Sequence, residues 1–446
     1  MRTPYIPHVF GDAVAQKLRS RIGWFGGAVA SSIPWPPKDV WIQYAGDDFI
    51  LRGTENGEQR RAPSITMPGT ANQWDECLAK LYRFTSVLGW FLDGEVDVVH
   101  AIHGSHPPNF GVGYGQARSA VGQWGDKRFN CNHMPIIEDE NTRIALAFFR
   151  EGMRLSGVND SYAFLSFFKV IESQHADGPS RVAWFNRNID LMTDDAAKRV
   201  ADLRVAGEDV GLHLWDSGRN AVAHATFGKG IVDPDIPADR KRISADLVLM
   251  KELARRFIGH DLGVPTARSL YEVRNRLEPW ESLIDPQALA TLKASGTPDL
   301  GLLDLDGLQV AVSLWPDEPM PDLDAMTMRL NAVNEGVVWV LLLNDRMTLA
   351  FTFALDFRNG RVYPLLEESG LIAGGEHTEE DVRAYYTVLH SVIGNAVVEL
   401  RLLGREPIDC EEVHPVNIIP SNPAEAVEEA VEAFRQEQGI RVAQEG

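Results

Sequence analysis

The sequence predicts a multidomain α+β protein in which a purely helical segment separates two sheet-containing regions. Alternating apolar and polar residues, the pattern of strands, occur near the N-terminus and again after residue 265. Between these regions, from residue 137 to about residue 262, apolar residues recur at the spacing of amphipathic helices. With 446 residues the chain also exceeds the size of one ordinary core. We therefore expect two or three domains.

Changes in pattern along the chain suggest where these domains begin and end. Residues 101–135 are rich in Gly, Pro, His and Asn, which predicts a long loop leading into the helical segment. The predicted divisions are an N-terminal α/β region (1–136), an all-α helical bundle (137–262), a C-terminal α+β domain (263–420) and an acidic helical tail (421–446).

The N-terminal region is expected to be a small sheet with one covering helix. DVWIQYAGDDFILRG alternates in polarity on both sides of Gly46-Asp47, which is typical of a β-hairpin. After Asn72, the apolar residues of QWDECLAKLYRFTSVLGWFL recur at helical spacing. We expect this amphipathic helix to pack on the sheet.

The middle segment favours a helical bundle. NTRIALAFFREGMRLSG and DSYAFLSFFKVIESQHA are each opened by a residue that can cap a helix, Asn141 and Asp160. Further helical patterns follow, separated by Gly, Asp and Pro. About five or six helices joined by such short connections are expected to form a bundle.

The C-terminal region predicts an antiparallel sheet covered by a helix. An Asp306-Gly307 turn is expected to join the two arms of a hairpin. Three further strands are predicted around Asn344-Asp345 and Asn359-Gly360. A last long helix is expected to begin at a Thr378 cap, to continue through Leu403 and to cover one face of the sheet.

Charge and cysteine content exclude several functional classes. A formal net charge of -20 makes broad, sequence-independent binding to nucleic acid unfavourable. Three cysteines far apart, Cys77, Cys131 and Cys410, suit a reducing compartment better than a disulfide framework. Neither a secretory signal nor an apolar run long enough to cross a bilayer is recognisable. We expect a cytoplasmic protein that does not contact membranes.

The best candidate for chemistry is Arg219-Asn220-Ala221-Val222-Ala223-His224. A histidine can transfer a proton near neutral pH, and a guanidinium can bind two phosphate oxygens, which suits cleavage of a phosphodiester without a metal or cofactor. On a regular helix Arg219 and His224 would point roughly 140° apart, whereas Asn220 and His224 share a face. Gly218 is expected to break or bend the helix just before Arg219.

The same residues also allow a purely structural interpretation. Arg219 could pair with Asp216 at i,i+3, and His224 could be a packed helix histidine among small alanines. For Glu172, an earlier acidic residue, an ion pair with Lys169 or with Arg219 across the bundle is the structural alternative. The motif by itself leaves these alternatives open.

The segment RNAVAH, preceded in an earlier predicted helix by SYAFLSFFKVIES, resembles the HEPN superfamily. Members are small helical bundles marked by an Arg, often followed by a polar residue, and then by a His. The combination is most similar to the Apea-like HEPN branch and to the methylamine-utilisation MauJ proteins. The resemblance covers about residues 138–262 and leaves both sheet-containing regions unassigned.

The resemblance implies a metal-independent endoribonuclease, or a ribonuclease-like effector, that acts on RNA as a homodimer. In that role Arg219 would stabilise the transition state, His224 would act as acid or base, and Asn220 and Glu172 would support them. The basic run Arg240-Lys241-Arg242 and the pair Arg255-Arg256 could provide a local basic surface. The alternative is a noncatalytic dimerisation or adaptor module, such as a MauJ-like accessory protein of methylamine utilisation, with an unidentified protein partner.

Two other groups of residues are candidates, one for a zinc site and one for a phosphate-binding loop. His100, His103, His106, Cys131 and His133 could ligate zinc if the loop folded back, but their spacing matches no standard site, so no metal is expected. The glycine-rich segment 111–115 lacks the Gly-Lys-Ser/Thr ending of a phosphate-binding loop.

Overall fold

The chain forms two compact units in the computed structural model. The first holds the described residues within Met1–Ala120 and Cys131–Glu272, and the second those within Val121–Asn130 and Val273–Gly446. The first unit thus includes both the N-terminal sheet and the helical segment. The residues that the structure describes are 8–9, 11–19, 23–33, 35–36, 38–56, 59–111, 113, 129, 131, 133–175, 177–223, 232–273, 275–315, 323–393, 397–404, 407–410 and 423–445.

Antiparallel strands form the sheet of the first unit. In the described part of this unit, six strands pair in the order β1-β3-β4-β7-β2-β8, and β5 and β6 form a separate ribbon. The strands are β1 (His8–Val9), β2 (Trp24–Ser31), β3 (Val40–Tyr44), β4 (Asp47–Arg52), β5 (Glu55–Asn56), β6 (Gln59–Arg60), β7 (Ser64–Pro68) and β8 (Val96–Gly104).

The helices of the first unit follow the predicted order, except that the first of them, Gly11–Arg19, was not predicted. They are α1 (Gly11–Arg19), α2 (Trp74–Phe91), α3 (Glu140–Leu155), α4 (Asp160–Glu172), α5 (Gly178–Asn188), α6 (Asp194–Val205), α7 (Val210–His213), α8 (Ala221–Ala223) and α9 (Pro237–Arg256). Two π-helical turns interrupt this series, Leu214–Asn220 and Phe257–Asp261. A further helix, α10 (Ala267–Val273), spans the chain position where the first unit ends.

The local predictions for the N-terminal region are confirmed. β3 and β4 form a hairpin whose turn contains Gly46, at a φ of 85° that glycine adopts without strain. Helix α2 packs on β2 and β8 and buries Leu81, Phe84 and Leu88 completely. The apolar side of this helix therefore contacts the sheet, as its spacing predicts.

The caps of the first two bundle helices lie one or two residues before the predicted ones, Asn141 and Asp160. The Asp139 carboxylate accepts a hydrogen bond from the backbone N–H of Thr142 at 2.7 Å, which caps α3. The Asn159 side chain does the same for Tyr162 at the start of α4. α4 packs between α3 and α9 and carries three fully buried phenylalanines, Phe164, Phe167 and Phe168. These aromatic side chains form the core of the helical segment.

The predicted loop over 101–135 is wrong at its beginning. Residues 101–104 belong to β8, which pairs along the length of β2. β2 was not predicted either, because it is buried at every position and so lacks alternation. Gly26 and Gly27 allow Pro108 and Val98 to pack directly on the β2 backbone. Residues 114–128 of the predicted loop lie outside the described part of the chain.

The second unit is an antiparallel sheet with helices, as predicted. Its described strands pair in the order β13-β12-β11-β10-β9-β15-β16, with β14 beside β12. Their bounds are β9 (Gln309–Trp315), β10 (Met326–Asn334), β11 (Val337–Leu343), β12 (Leu349–Asp356), β13 (Arg361–Pro364), β14 (Gly370–Leu371), β15 (Val397–Leu402) and β16 (Pro407–Cys410). Its helices are α11 (Glu278–Glu281), α12 (Pro286–Lys293), α13 (Glu379–Ile393) and α14 (Pro423–Glu445).

Two details of the predicted C-terminal domain are wrong. Gly307 lies in a turn, but the chain before it forms a 3₁₀ turn at Leu300–Leu302, capped by Asp299, instead of a hairpin arm. The predicted final helix ends at Ile393, and Val397–Leu402 forms β15, which pairs with β9. The β-branched Val397 and Val398 favour a strand over a helix once a neighbouring strand is available. The three strands around Asn344-Asp345 and Asn359-Gly360 are confirmed.

Helix α13 covers the sheet as predicted. Ala384, Val388 and Val392 pack into the same buried cluster as the strands β9 to β12. The Thr378 hydroxyl caps this helix by accepting a hydrogen bond from the backbone N–H of Asp381 at 3.3 Å. The Asp381 carboxylate in turn accepts from the backbone N–H of Thr378 at 2.8 Å. The predicted acidic tail is α14, which packs on α13 and buries Val431. Among the residues that the structure describes, no helix combines the length and apolar character needed to cross a bilayer.

Candidate functional site

The candidate segment begins in a π-helical turn, Leu214–Asn220, that connects α7 to α8. The break expected at Gly218 is therefore a local widening of the helix. A Cβ at position 218 would lie 2.5 Å from Cζ of the buried Phe164, so only glycine fits so close to the α4 aromatic core. Single π-helical turns are frequently found at functional sites.

Arg219 lies at the end of this turn and is held on two sides. Its Nη2 donates to Oε1 of Glu172 at 3.2 Å, and its Nη1 donates to Oδ1 of Asn220 at 3.1 Å. The guanidinium carbon also lies 5.3 Å from the centre of the Trp215 ring, within the range of a cation–π contact. Of the structural alternatives for Glu172, the ion pair with Arg219 is present.

Sequence reasoning missed Arg181, which contacts the same Glu172 carboxylate and the same Trp215 ring as Arg219. Its Nη1 donates to the same Glu172 oxygen at 2.9 Å, and its guanidinium lies 5.0 Å from the Trp215 ring centre. Its Nε donates to the backbone carbonyl of His175 at 2.9 Å, which fixes the side chain against the end of α4. No spacing rule connects Arg181 on α5 to Arg219, so only the packing of α4, α5 and the π turn reveals this arrangement.

Asn220 links Arg219 to a second carboxylate. Its Nδ2 donates to Oδ1 of Asp216 at 3.0 Å, while its own Oδ1 accepts from Arg219. Asp216, expected to pair directly with Arg219, is therefore connected to it through the amide. The two guanidiniums of this cluster stand beside the two carboxylates of Glu172 and Asp216, so their formal charges balance. His224 lies outside the described residues.

A buried carboxylate beneath the π turn holds this segment in place. Asp246 on α9 is completely buried and accepts from Nε and Nη2 of Arg199 at 2.9 and 2.6 Å. Its other oxygen lies 3.0 Å from Nε2 of His213 and 3.6 Å from Nη1 of Arg242. Arg242 also donates to the backbone carbonyl of Ser217. Asp246 thus holds His213, the residue before the π turn, and, through Arg242, the Ser217 carbonyl within that turn.

The predicted basic surface on α9 is reduced by these contacts. Arg242 contacts Asp246 and the Ser217 carbonyl and keeps 27% of its side-chain surface, whereas Arg240 and Lys241 of the same run are exposed. Arg255 contacts Asp93 and Glu252, and Arg256 donates to the side chain of Asn188. These arginines connect the helices to one another and to α2 instead of forming an open patch.

The candidate zinc ligands all lie within the described residues: His100, His103, His106, Cys131 and His133. Cys131 is fully buried, and burial raises the pKa of its thiol far above the usual range, which disfavours the thiolate that a metal requires. His106 contacts the hydroxyl of the adjacent Ser105 at 3.0 Å. Within the described residues, no set of three or more His, Cys, Asp and Glu side chains is placed to hold a metal ion.

The fold and the site together define an α+β protein whose helical segment contains an ion-pair network centred on a π turn. Residues 145–259 of this segment match the family model described as "Methylamine utilization protein MauJ". The matched range contains the cluster around Arg219 and the buried Asp246, whereas the sheets of both units lie outside it. No curated protein and no solved structure matches the chain.

Proposed function

We propose that the chain is a MauJ-like accessory protein whose HEPN-type helical module pairs two copies of the chain and serves as a noncatalytic adaptor. The observation that carries this proposal is that Arg219 and Asn220 are already engaged by Glu172 and Asp216. Glu172 and Asn220 each occupy one Nη group of Arg219, so a phosphate would have to compete with them for these donors. The match of residues 145–259 to the MauJ family model supports a role in methylamine utilisation.

Charge supports the same proposal at two scales. The guanidiniums of Arg219 and Arg181 and the carboxylates of Glu172 and Asp216 carry formal charges that sum to zero. The chain as a whole carries a net charge of -20 and repels a polyanion. Neither condition favours an RNA substrate, whereas both are compatible with a protein partner.

Metal-independent ribonuclease activity is the second candidate, and one observation favours it. Arg219 retains about a quarter of its side-chain surface, 24%, on a π turn that also carries Asn220 and leads to His224. In a dimer, two such segments would line one cleft, with Arg219 stabilising the phosphate and His224 transferring the proton.

An RNA-cleavage assay separates the two candidates. Purified wild-type chain, incubated with single-stranded RNA in EDTA, is expected to leave the RNA intact while sedimenting as a dimer. The control set is Arg219→Ala and His224→Ala. Cleavage by the wild type that disappears in both variants would establish the ribonuclease instead, whereas cleavage that persists in both would identify a contaminating nuclease. A monomer at all accessible concentrations would refute the pairing.

Glu172→Gln tests whether the carboxylate limits the affinity of this cluster for anions. The variant loses one negative charge beside Arg181 and Arg219, so we expect its affinity for a labelled single-stranded RNA to rise about threefold at low salt. Fluorescence anisotropy measures this change. Glu208→Gln removes the same charge from an exposed position on the same unit and is the matched control. An equal rise in both variants would show an effect of net charge alone.

A further inference from the structure

A cavity of about 390 Å³ opens in the first unit, away from Arg219. It lies between the turn that joins β3 to β4, helix α2, and the chain that enters α3. Its volume falls within the range of small-molecule sites in proteins, which are concave and mostly apolar with a few polar groups. None of the functions proposed above uses this cavity.

The floor of the cavity is apolar and firmly packed. The rings of Phe49 and Phe84 stack with their centres 4.3 Å apart, and Tyr44 meets Phe84 edge-on at 5.6 Å. The Tyr44 hydroxyl donates to the backbone carbonyl of Pro135 at 2.8 Å, and Leu146 from α3 is 1% exposed. These side chains are themselves almost completely buried, so they back the cavity and keep its shape fixed before a ligand enters.

Three cations line the cavity, and they differ in their partners. Lys80 is held by Asp47 at 2.8 Å and by Glu76 at 3.0 Å. Arg143 is paired with Glu140 at 3.1 Å. Arg83 is exposed and forms no hydrogen bond or ion pair with any residue in the described part of the chain. A ligand anion would therefore gain most by approaching Arg83.

We propose that this cavity binds a small organic anion, with its apolar body inside the cavity above the buried Phe49–Phe84 pair and one carboxylate or sulfonate group at the Arg83 guanidinium. A guanidinium forms two parallel hydrogen bonds with such a group, which orients the ligand as well as attracting it.

Titration with 8-anilinonaphthalene-1-sulfonate, a monoanion with an apolar ring system, tests the proposal. Added to the full chain, it is expected to show saturable fluorescence with a Kd on the order of 10 μM. Arg83→Gln should weaken binding about fivefold. Arg187→Gln, which removes an exposed arginine from α5 outside the cavity, should leave the Kd unchanged.

The neutral analogue N-phenyl-1-naphthylamine completes the experiment. It should bind the wild type more weakly than the sulfonate, and its affinity should be the same in Arg83→Gln. Equal Kd values for the sulfonate in Arg83→Gln and Arg187→Gln, or the absence of saturable binding, would overturn the proposal. Thermal unfolding followed by circular dichroism establishes that Arg83→Gln is folded, so a loss of fluorescence can be attributed to the binding site and not to unfolding.

Discussion

Asp246→Ala is expected to lower the free energy of unfolding of the first unit by about 3 kcal/mol. The substitution removes a fully buried carboxylate and leaves Arg199, Arg242 and His213 without their shared acceptor. Removing one partner of a buried ion pair costs about 3–5 kcal/mol. We expect the lower end because Arg199 and Arg242 keep 20% and 27% of their side-chain surface and can be rehydrated.

Urea unfolding followed by far-ultraviolet circular dichroism measures this loss. The matched control is Asp202→Ala, an exposed aspartate of α6 on the same unit, for which a change within about 0.5 kcal/mol is expected. Similar midpoints for the two variants would show that the buried network contributes little. Because Asp246 also holds His213 and, through Arg242, Ser217, its removal should further loosen the π turn, visible as faster amide hydrogen exchange there.

Gly218→Ala is expected to destabilise the first unit by about 1–2 kcal/mol. The new Cβ would stand 2.5 Å from Cζ and 2.8 Å from Cε1 of Phe164, whose ring is completely buried. Overpacking of this kind costs about 1–3 kcal/mol, and the higher helix propensity of alanine offsets part of that cost. The ring cannot move away freely because Phe168 lies next to it on α4.

Gly259→Ala provides a close control for this substitution. Gly259 lies in the other π-helical turn, Phe257–Asp261, but a Cβ there would meet the Trp90 ring at an ordinary 3.8 Å. Thermal unfolding should therefore show no loss for Gly259→Ala, and a small gain is expected from helix propensity. If both variants lost the same stability, the cause would be the π-helical conformation and not the contact with Phe164.

Elements with a strong local signal were predicted correctly. The turn at Gly46-Asp47, the strands around Asn359-Gly360 and helix α2 depend on turn chemistry and apolar spacing over a few residues. Elements without such a signal were missed. β2 is buried on both faces and shows no alternation, and β15 became part of a predicted helix because its strand partner, β9, is distant in sequence.

Within the candidate site, sequence reasoning found Arg219, Asn220 and Glu172 but not what surrounds them. The contact of Arg219 with Glu172 was one of the alternatives that it raised. Arg181 and Asp246 have no local signature, because a helix residue that binds across a bundle resembles an ordinary surface charge in sequence. The contacts of Arg242 with Asp246 and Ser217 could not be predicted for the same reason.

The sequence by itself determined the succession of sheet, helices and sheet, the tight turns, the starts of α3 and α4 to within two residues, and the presence of an arginine after a glycine break. Those features depend on interactions between residues close in the chain. Only the tertiary structure decided that Arg219 shares Glu172 with Arg181, that Asp246 anchors the π turn, and that Arg83 borders an apolar cavity. Such contacts join helices and strands far apart in the chain, where packing geometry sets which charges meet.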